Sequence, residues 1–208
     1  MRRIDFENWE RSEHFNFFSQ MDDPSWSVVV EMDCSRAYLE AKKNGYSFFL
    51  LYLHYSLRAA NEVEAFKYRI DGEDQVVVHD VINASMTVDR PDGTFGYGYV
   101  DYIESFELFE RAGRQEIEKV RAESKLDPSA GGGNVMYYST LPWLKFTSLS
   151  HASNFDKRDS IPRLTFGKLS QEKRRWVMPL AIQVNHALVD GAHVGKFVKY
   201  FQDLMDGG

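Results

Sequence analysis

The segment His186-Ala-Leu-Val-Asp-Gly191 places an imidazole, a carboxylate and a glycine within one tight stretch. It lies between an apolar run, Trp176 to Val184, and a helix-like tail, Ala192 to Met205. A strand that runs into this segment would deliver His186 into a turn, and Asp190-Gly191 supplies backbone angles that turns require. Imidazole titrates near neutral pH, so a histidine aimed in this way can serve as a general base. In isolation the same pattern also fits a satisfied core histidine. Asp190 reads either as the carboxylate partner of His186 or as a group needing a countercharge of its own.

Other side chains that could do chemistry are scattered along the chain. Tyr138-Ser139-Thr-Leu-Pro142-Trp143 places a hydroxyl just before a strand-ending proline. That fits turn chemistry or a donor to a developing oxyanion. Thr165, within Leu164-Thr-Phe-Gly-Lys168, is equally open. Gly131-Gly-Gly133 lacks a Gly-Lys-Ser/Thr ending and leads into a strand, which favours a flexible loop over a phosphate cradle. The histidines at 14, 54, 79, 151, 186 and 193 show no metal-ligand spacing, so no metal is expected. Lys173-Arg174-Arg175 reads as a solvated turn, with anion binding as its alternative. Cys34, the only cysteine, rules out an internal disulfide and is read as structural.

These groups need a scaffold, and 208 residues with 43% hydrophobic and 14% aromatic content suffice for a folded core in a single domain, residues 1–208. The formal charge of −6 argues against nucleic-acid binding. The longest apolar stretch, Phe48 to Leu53, is too short to span a bilayer. No apolar segment follows Arg2-Arg3, so the expectation is a cytoplasmic protein with no membrane partner. Strands are predicted at 26–32, 66–70, 75–79, 84–88, 94–100, 135–139, 144–149, 163–169 and 176–184. Helices are predicted at about 35–44, 48–61, 105–124 and 192–205, capped by Ser35, Gly45 and Ser47 at the first two. An amphipathic helix near the N-terminus would use Trp9, Phe15 and Phe17 as core contacts. Strands in succession with a few helices give an α+β fold, a mixed or antiparallel β-sheet flanked by helices.

Taken together, these segments resemble the chloramphenicol acetyltransferase family, of the type related to the acyltransferase core of 2-oxo acid dehydrogenases. The resemblance rests on Trp9-Glu-Arg11-Ser-Glu13-His14-Phe15, Ser139-Thr-Leu-Pro142-Trp143-Leu-Lys-Phe146, Leu164-Thr165-Phe-Gly-Lys168 and Gln183-Val-Asn-His186-Ala-Leu-Val-Asp190-Gly191-Ala-His193. It implies the CoA-dependent acyltransferase fold, a homotrimer with sites between subunits, and acetyl-CoA as donor. It implies direct transfer of acetyl to a hydroxyl of chloramphenicol or a similar small acceptor, an antibiotic-resistance chemistry. By position, His186 is the general base, Ser139 the oxyanion donor, and Thr165 a helper acting through bound water. Asp190 then pairs with Arg11 and supports the turn without contacting the base. Phe17, Phe18, Phe95 and Tyr97 fall at the acceptor pocket, and Lys168 at the CoA site.

The chain departs from the family pattern in ways that bear on the acceptor. The usual paired histidine is Asn185-His186 here. Phe18 stands where chloramphenicol-modifying members carry a tyrosine, Tyr97 replaces a small residue, and Ser25-Trp-Ser-Val28 lacks the family's pocket-lining set. Acetyl transfer is therefore better supported than any particular acceptor. The alternatives are the same chemistry on a different alcohol or thiol, and a non-catalytic small-molecule-binding relative. A dehydrogenase core subunit is not expected, since no lipoyl module or Ala-Pro-rich linker precedes the matching blocks.

Overall fold

The structure is a computed structural model that describes residues 1–72, 75–127, 132–152, 156 and 158–208. β-Branched residues set the first long strand, β2 (Ser25–Asp33), which follows a short β1 (Arg2–Arg3). Two helices come next, α2 (Ser35–Asn44) and α3 (Phe48–Glu62), after a first helix α1 (Ser12–Phe18). Gly45 adopts the left-handed conformation that ends α2, and the Ser47 side chain accepts from Leu50 N–H to start α3. The hairpin β3 (Tyr68–Ile70) and β4 (Val76–Val78) precedes β5 (Asn83–Asp89), β6 (Phe95–Val100) and α4 (Phe106–Ala122). The chain ends with β7 (Val135–Thr140), β8 (Arg163–Phe166), β9 (Ser170–Glu172), β10 (Arg175–Asn185) and α5 (Gly191–Met205).

The main sheet runs β2-β10-β8-β7-β5-β6, with β9 beside β10, and a smaller sheet runs β1-β4-β3. The main sheet is mixed: β5–β7 and β7–β8 are parallel, and its other pairs antiparallel. One face carries Ala84, Met86, Met136, Tyr138, Leu164, Phe166, Leu180, Ile182 and Val184, all buried, and packs on the helices. α4 lies so close to β6 that a Cβ at Gly96 would stand 2.6 Å from Val120 Cγ1. Glycine at that position is what allows the approach. The opposite face carries Ser85, Thr87, Tyr97, Tyr99, Tyr137, Ser139, Arg163, Thr165 and Gln183, a far more polar set.

Several local expectations are corrected. Residues 144–149 form no strand. Leu141 N–H bonds Phe166 O at 2.8 Å and Lys168 N–H bonds Leu144 O at 2.8 Å, so this stretch is a loop folded back over β8. The N-terminal helix is broken: Phe6–Asn8 is a 3-10 turn and α1 starts only at Ser12. Phe17 is 63% exposed, not a core contact, because Phe15 and Phe18 occupy the inward stripe. Ser35 is not the cap of α2. The Asp33 carboxylate accepts from Ser35 N–H, while Ser35 Oγ accepts from Trp176 N–H. Residues 64–67 form a 3-10 turn before the hairpin, so β3 is shorter than predicted. Gly131 lies outside the described residues; Gly132 has a φ of 63° and the chain from Gly133 leads into β7. Among the described residues no helix is long and apolar enough to cross a membrane.

Candidate active site

The turn after β10 is anchored by what it buries. Ala187, Leu188 and Val189 sink into the core, leaving His186 and Asp190 half-buried at either end. His186 N–H bonds Pro24 O at 2.8 Å, and Asn185 Oδ1 accepts from Ala187 N–H at 2.9 Å. Asp190 caps α5, accepting from Ala192 N–H at 3.0 Å and His193 N–H at 3.3 Å. Its other oxygen receives Arg11 Nη1 at 2.5 Å, while Arg11 Nη2 reaches His186 O at 3.4 Å. One guanidinium therefore ties together both ends of the turn, and no hydrogen bond from Asp190 reaches the His186 ring. Partial burial works to raise the Asp190 pKa, but hydrogen bonding to Arg11, the nearby charges and the His193 N–H outweigh it and hold the carboxyl below the usual range.

The imidazole plane is fixed by aromatic neighbours. Phe18 stacks on it with centroids 4.0 Å apart and planes 5° from parallel, and Trp26 lies at 5.5 Å. Trp26 is itself held by its Nε1–H bond to Val189 O. His186 Nδ1 is buried without a hydrogen-bond partner, whereas Nε2 is not sealed off in this way and bonds to no described residue. Cys34, by contrast, is buried and its thiol is pushed up to about 12 by that burial, with Asp33 and Asp206 adding to the shift. It is an inert core residue.

The hydroxyls stand elsewhere. Ser139 on β7 is in register with Thr165 on β8, which faces Ala181 on β10. Thr87 on β5 follows Met86, the partner of Tyr138, so it flanks Ser139, and Thr87 pairs with Tyr97 on β6. Tyr97, Thr87, Ser139 and Thr165 thus form one row across the polar face, with Phe95 edge-on to Tyr97 at 5.6 Å. Ser139 is half-buried, Thr165 is buried, and Thr165 Oγ1 lies 3.3 Å from His151 Nε2. Sequence reasoning passed over His151, since a lone histidine with no spacing pattern carries no signal. Lys168 is exposed just beyond β8.

The predicted site residues therefore fall into two groups. His186, Phe17, Phe18, Arg11 and Asp190 gather at one end of β10, while Ser139, Thr165, Phe95 and Tyr97 share the sheet row. From Ala181, the neighbour of Thr165, to His186 is five residues, about 16 Å of extended chain. Within one chain His186 does not meet these hydroxyls. Among the described residues, the buried polar side-chain atoms without partners include Arg11 Nε, His186 Nδ1 and Gln183 Oε1. All three lie at the turn or on the polar face.

A sequence profile of chloramphenicol acetyltransferases matches residues 1–202. The chain belongs to the chloramphenicol acetyltransferase family. It is 28% identical over 208 residues to the chloramphenicol acetyltransferase of Bacillus pumilus, covering 99% of this chain and 93% of the relative. It is 28% identical over 206 residues to that of Staphylococcus aureus, covering 98% and 95%. A solved chloramphenicol acetyltransferase superposes with a TM-score of 0.90 at 34% identity, covering 98% of this chain and all of that one. The Azotobacter vinelandii dihydrolipoamide acetyltransferase superposes at 0.68 with 19% identity, covering 93% and 86%, and shares the fold. This family member is an acetyltransferase with the α+β acyltransferase fold.

Proposed function

We propose that this chain, as a single domain over residues 1–208, transfers acetyl from acetyl-CoA to a hydroxyl of chloramphenicol or a similar small alcohol, and that it works as a homotrimer. His186 Nε2 takes the proton of the acceptor hydroxyl. The freed oxygen attacks the thioester carbon, and the carbonyl π electrons move onto its oxygen. Ser139 Oγ–H donates to that oxyanion, and Thr165 supports it through a water. Collapse breaks the carbon–sulfur bond, and the leaving thiolate recovers the proton from the imidazolium. Arg11 and Asp190 aim the turn; Phe17, Phe18, Phe95 and Tyr97 wall the acceptor, and Lys168 meets CoA. No metal and no acyl-enzyme enter the scheme.

One observation carries this reading: a base with a fixed ring plane and an open Nε2 stands about 16 Å along β10 from the hydroxyls it would work with. Two copies, each lending one group, resolve that separation. The test is CoA thiol release with acetyl-CoA and a panel of hydroxylated acceptors including chloramphenicol, with light scattering for the oligomer. Turnover by a trimer is expected. Absence of transfer to every acceptor, or an active monomer, contradicts the proposal.

A second reading keeps the chemistry and changes the acceptor. Phe18 brings no hydroxyl to the ring it stacks on, so a polar acceptor loses a hydrogen bond at the base. Full chloramphenicol resistance conferred on a sensitive host would remove the need for this reading.

A further inference from the structure

A second imidazole stands in the hydroxyl row, and the reaction scheme above does not use it. His151 lies on the loop that follows β7, the same loop that folds back over β8 through Leu141 and Lys168. Its Nε2 is 3.3 Å from Thr165 Oγ1, and the ring is half-buried. Its Nδ1 forms no hydrogen bond with a described residue and is not among the buried orphan atoms, so it opens outward. Burial, and then the Arg163 cation, hold its pKa below the ordinary histidine range. A neutral imidazole has one donor and one acceptor nitrogen. When Thr165 donates to Nε2, the proton sits on Nδ1, and the ring offers an uncharged donor beside Ser139 and Thr165.

The rest of the row makes that donor conspicuous. Ala181 beside Thr165 brings only a methyl group, and the aromatic wall begins at Tyr97, three strand spacings or about 14 Å away. At the other half of the site Phe18 is apolar. Polar recognition is therefore concentrated on the hydroxyl side, away from the base.

We propose that His151 is a specificity-determining residue of the acceptor site, holding the Thr165 hydroxyl through Nε2 and offering Nδ1–H to an uncharged oxygen of the alcohol being acetylated. The carbonyl, nitro and hydroxyl oxygens of small aromatic alcohols are the matching chemistry. The proposal rests on the acetyl-transfer reading, and its test separates the two.

The experiment compares wild type, His151→Leu and His151→Gln in the intact oligomer. Each is assayed with acetyl-CoA and the best acceptor from a panel that includes chloramphenicol. His151→Leu is expected to raise the acceptor KM about 10- to 100-fold, with a smaller fall in kcat from the released Thr165 hydroxyl and the acetyl-CoA KM within about threefold. His151→Gln, which keeps a donor, should recover most of that loss. An unchanged acceptor KM in His151→Leu, or an equal fall in kcat that glutamine does not rescue, overturns the proposal. If no acceptor turns over, the acetyl-transfer reading fails by itself. The His151 proposal is then decided by titrating chloramphenicol into protein carrying 15N-labelled histidine: movement of the His151 Nδ1 signal sustains it, and a static signal overturns it.

Discussion

The turn at His186 and the row through Ser139 and Thr165 are built from different materials. The turn is a local device: an ion pair, a helix cap and an aromatic stack fix its shape, yet it keeps buried polar atoms unpaired. The row is a product of strand register, and Thr165 already has a side-chain partner in His151. His186 keeps only Nε2 open and stands about 16 Å along β10 from the row, where Thr165 is held by His151. The contrast teaches that the turn and the row are separately built, which is what the proposed sharing of a site between two copies requires.

The comparison can be broken first at the base. His186→Ala should lower kcat by about 10²- to 10⁴-fold, as expected when one positioned proton acceptor is removed. Melting temperature should move little, because the turn is held by Ala187 to Val189 and Asp190. A kcat within tenfold of wild type would remove the base role. On the row, Ser139→Ala should cost about 10²- to 10³-fold in kcat with the acceptor KM nearly unchanged, measured by the same thiol-release assay.

Asp190 sharpens the comparison, because its effect should pass through the turn alone. Asp190→Asn removes the charge paired with Arg11, whose side chain is 12% exposed against 32% for Asp190. That partial exposure reduces the expected loss to about 1–3 kcal/mol, read as a lower melting temperature, with activity falling alongside. Folding lowers the Asp190 pKa, so the carboxylate's contribution is present above its unfolded value, near pH 4, and lost as pH falls through the depressed folded value. The melting gap between wild type and Asp190→Asn should therefore narrow in acid. A gap that is constant with pH contradicts the ion-pair account.

His193 should give the smallest effect. Its pKa is lowered, first by burial, which favours the neutral ring that accepts from Asp190 N–H at 3.2 Å and completes the capping box. His193→Gln should cost about 0.5–1 kcal/mol of stability and leave kcat within about threefold. A loss matching that of His186→Ala would mean that the wrong imidazole has been assigned.

Much of this was legible in the chain. Ser47 and Gly45 mark helix ends because capping is a local transaction between neighbouring backbone groups. The strand before His186 and the helix after it were equally plain, but Asp190-Gly191 misled: the turn lies at residues 186–188, Asp190 is extended as the helix cap, and Gly191 opens α5. The stretch 144–149 misled because Leu144, Phe146 and Leu149 mimic a strand, while pairing depends on partners that no local pattern specifies. Phe17 misled because adjacent phenylalanines cannot share one helix stripe, and only packing decides which turns inward. His151 was invisible for the same reason: its partner Thr165 is 14 residues distant, and only the fold-back of the loop brings them together. The Arg11–Asp190 pair spans 179 residues and came from family resemblance, not from spacing.

Mixing two inactive variants tests the account most directly. His186→Ala and Ser139→Ala chains, co-expressed with different tags and purified through both, would form oligomers in which some sites draw an intact His186 from one chain and an intact Ser139 from its neighbour. Every mixed trimer, of either composition, holds one such site in three, so about a third of wild-type activity should return. Activity no greater than the sum of the two variants alone would place base and hydroxyl in the same chain and contradict the account.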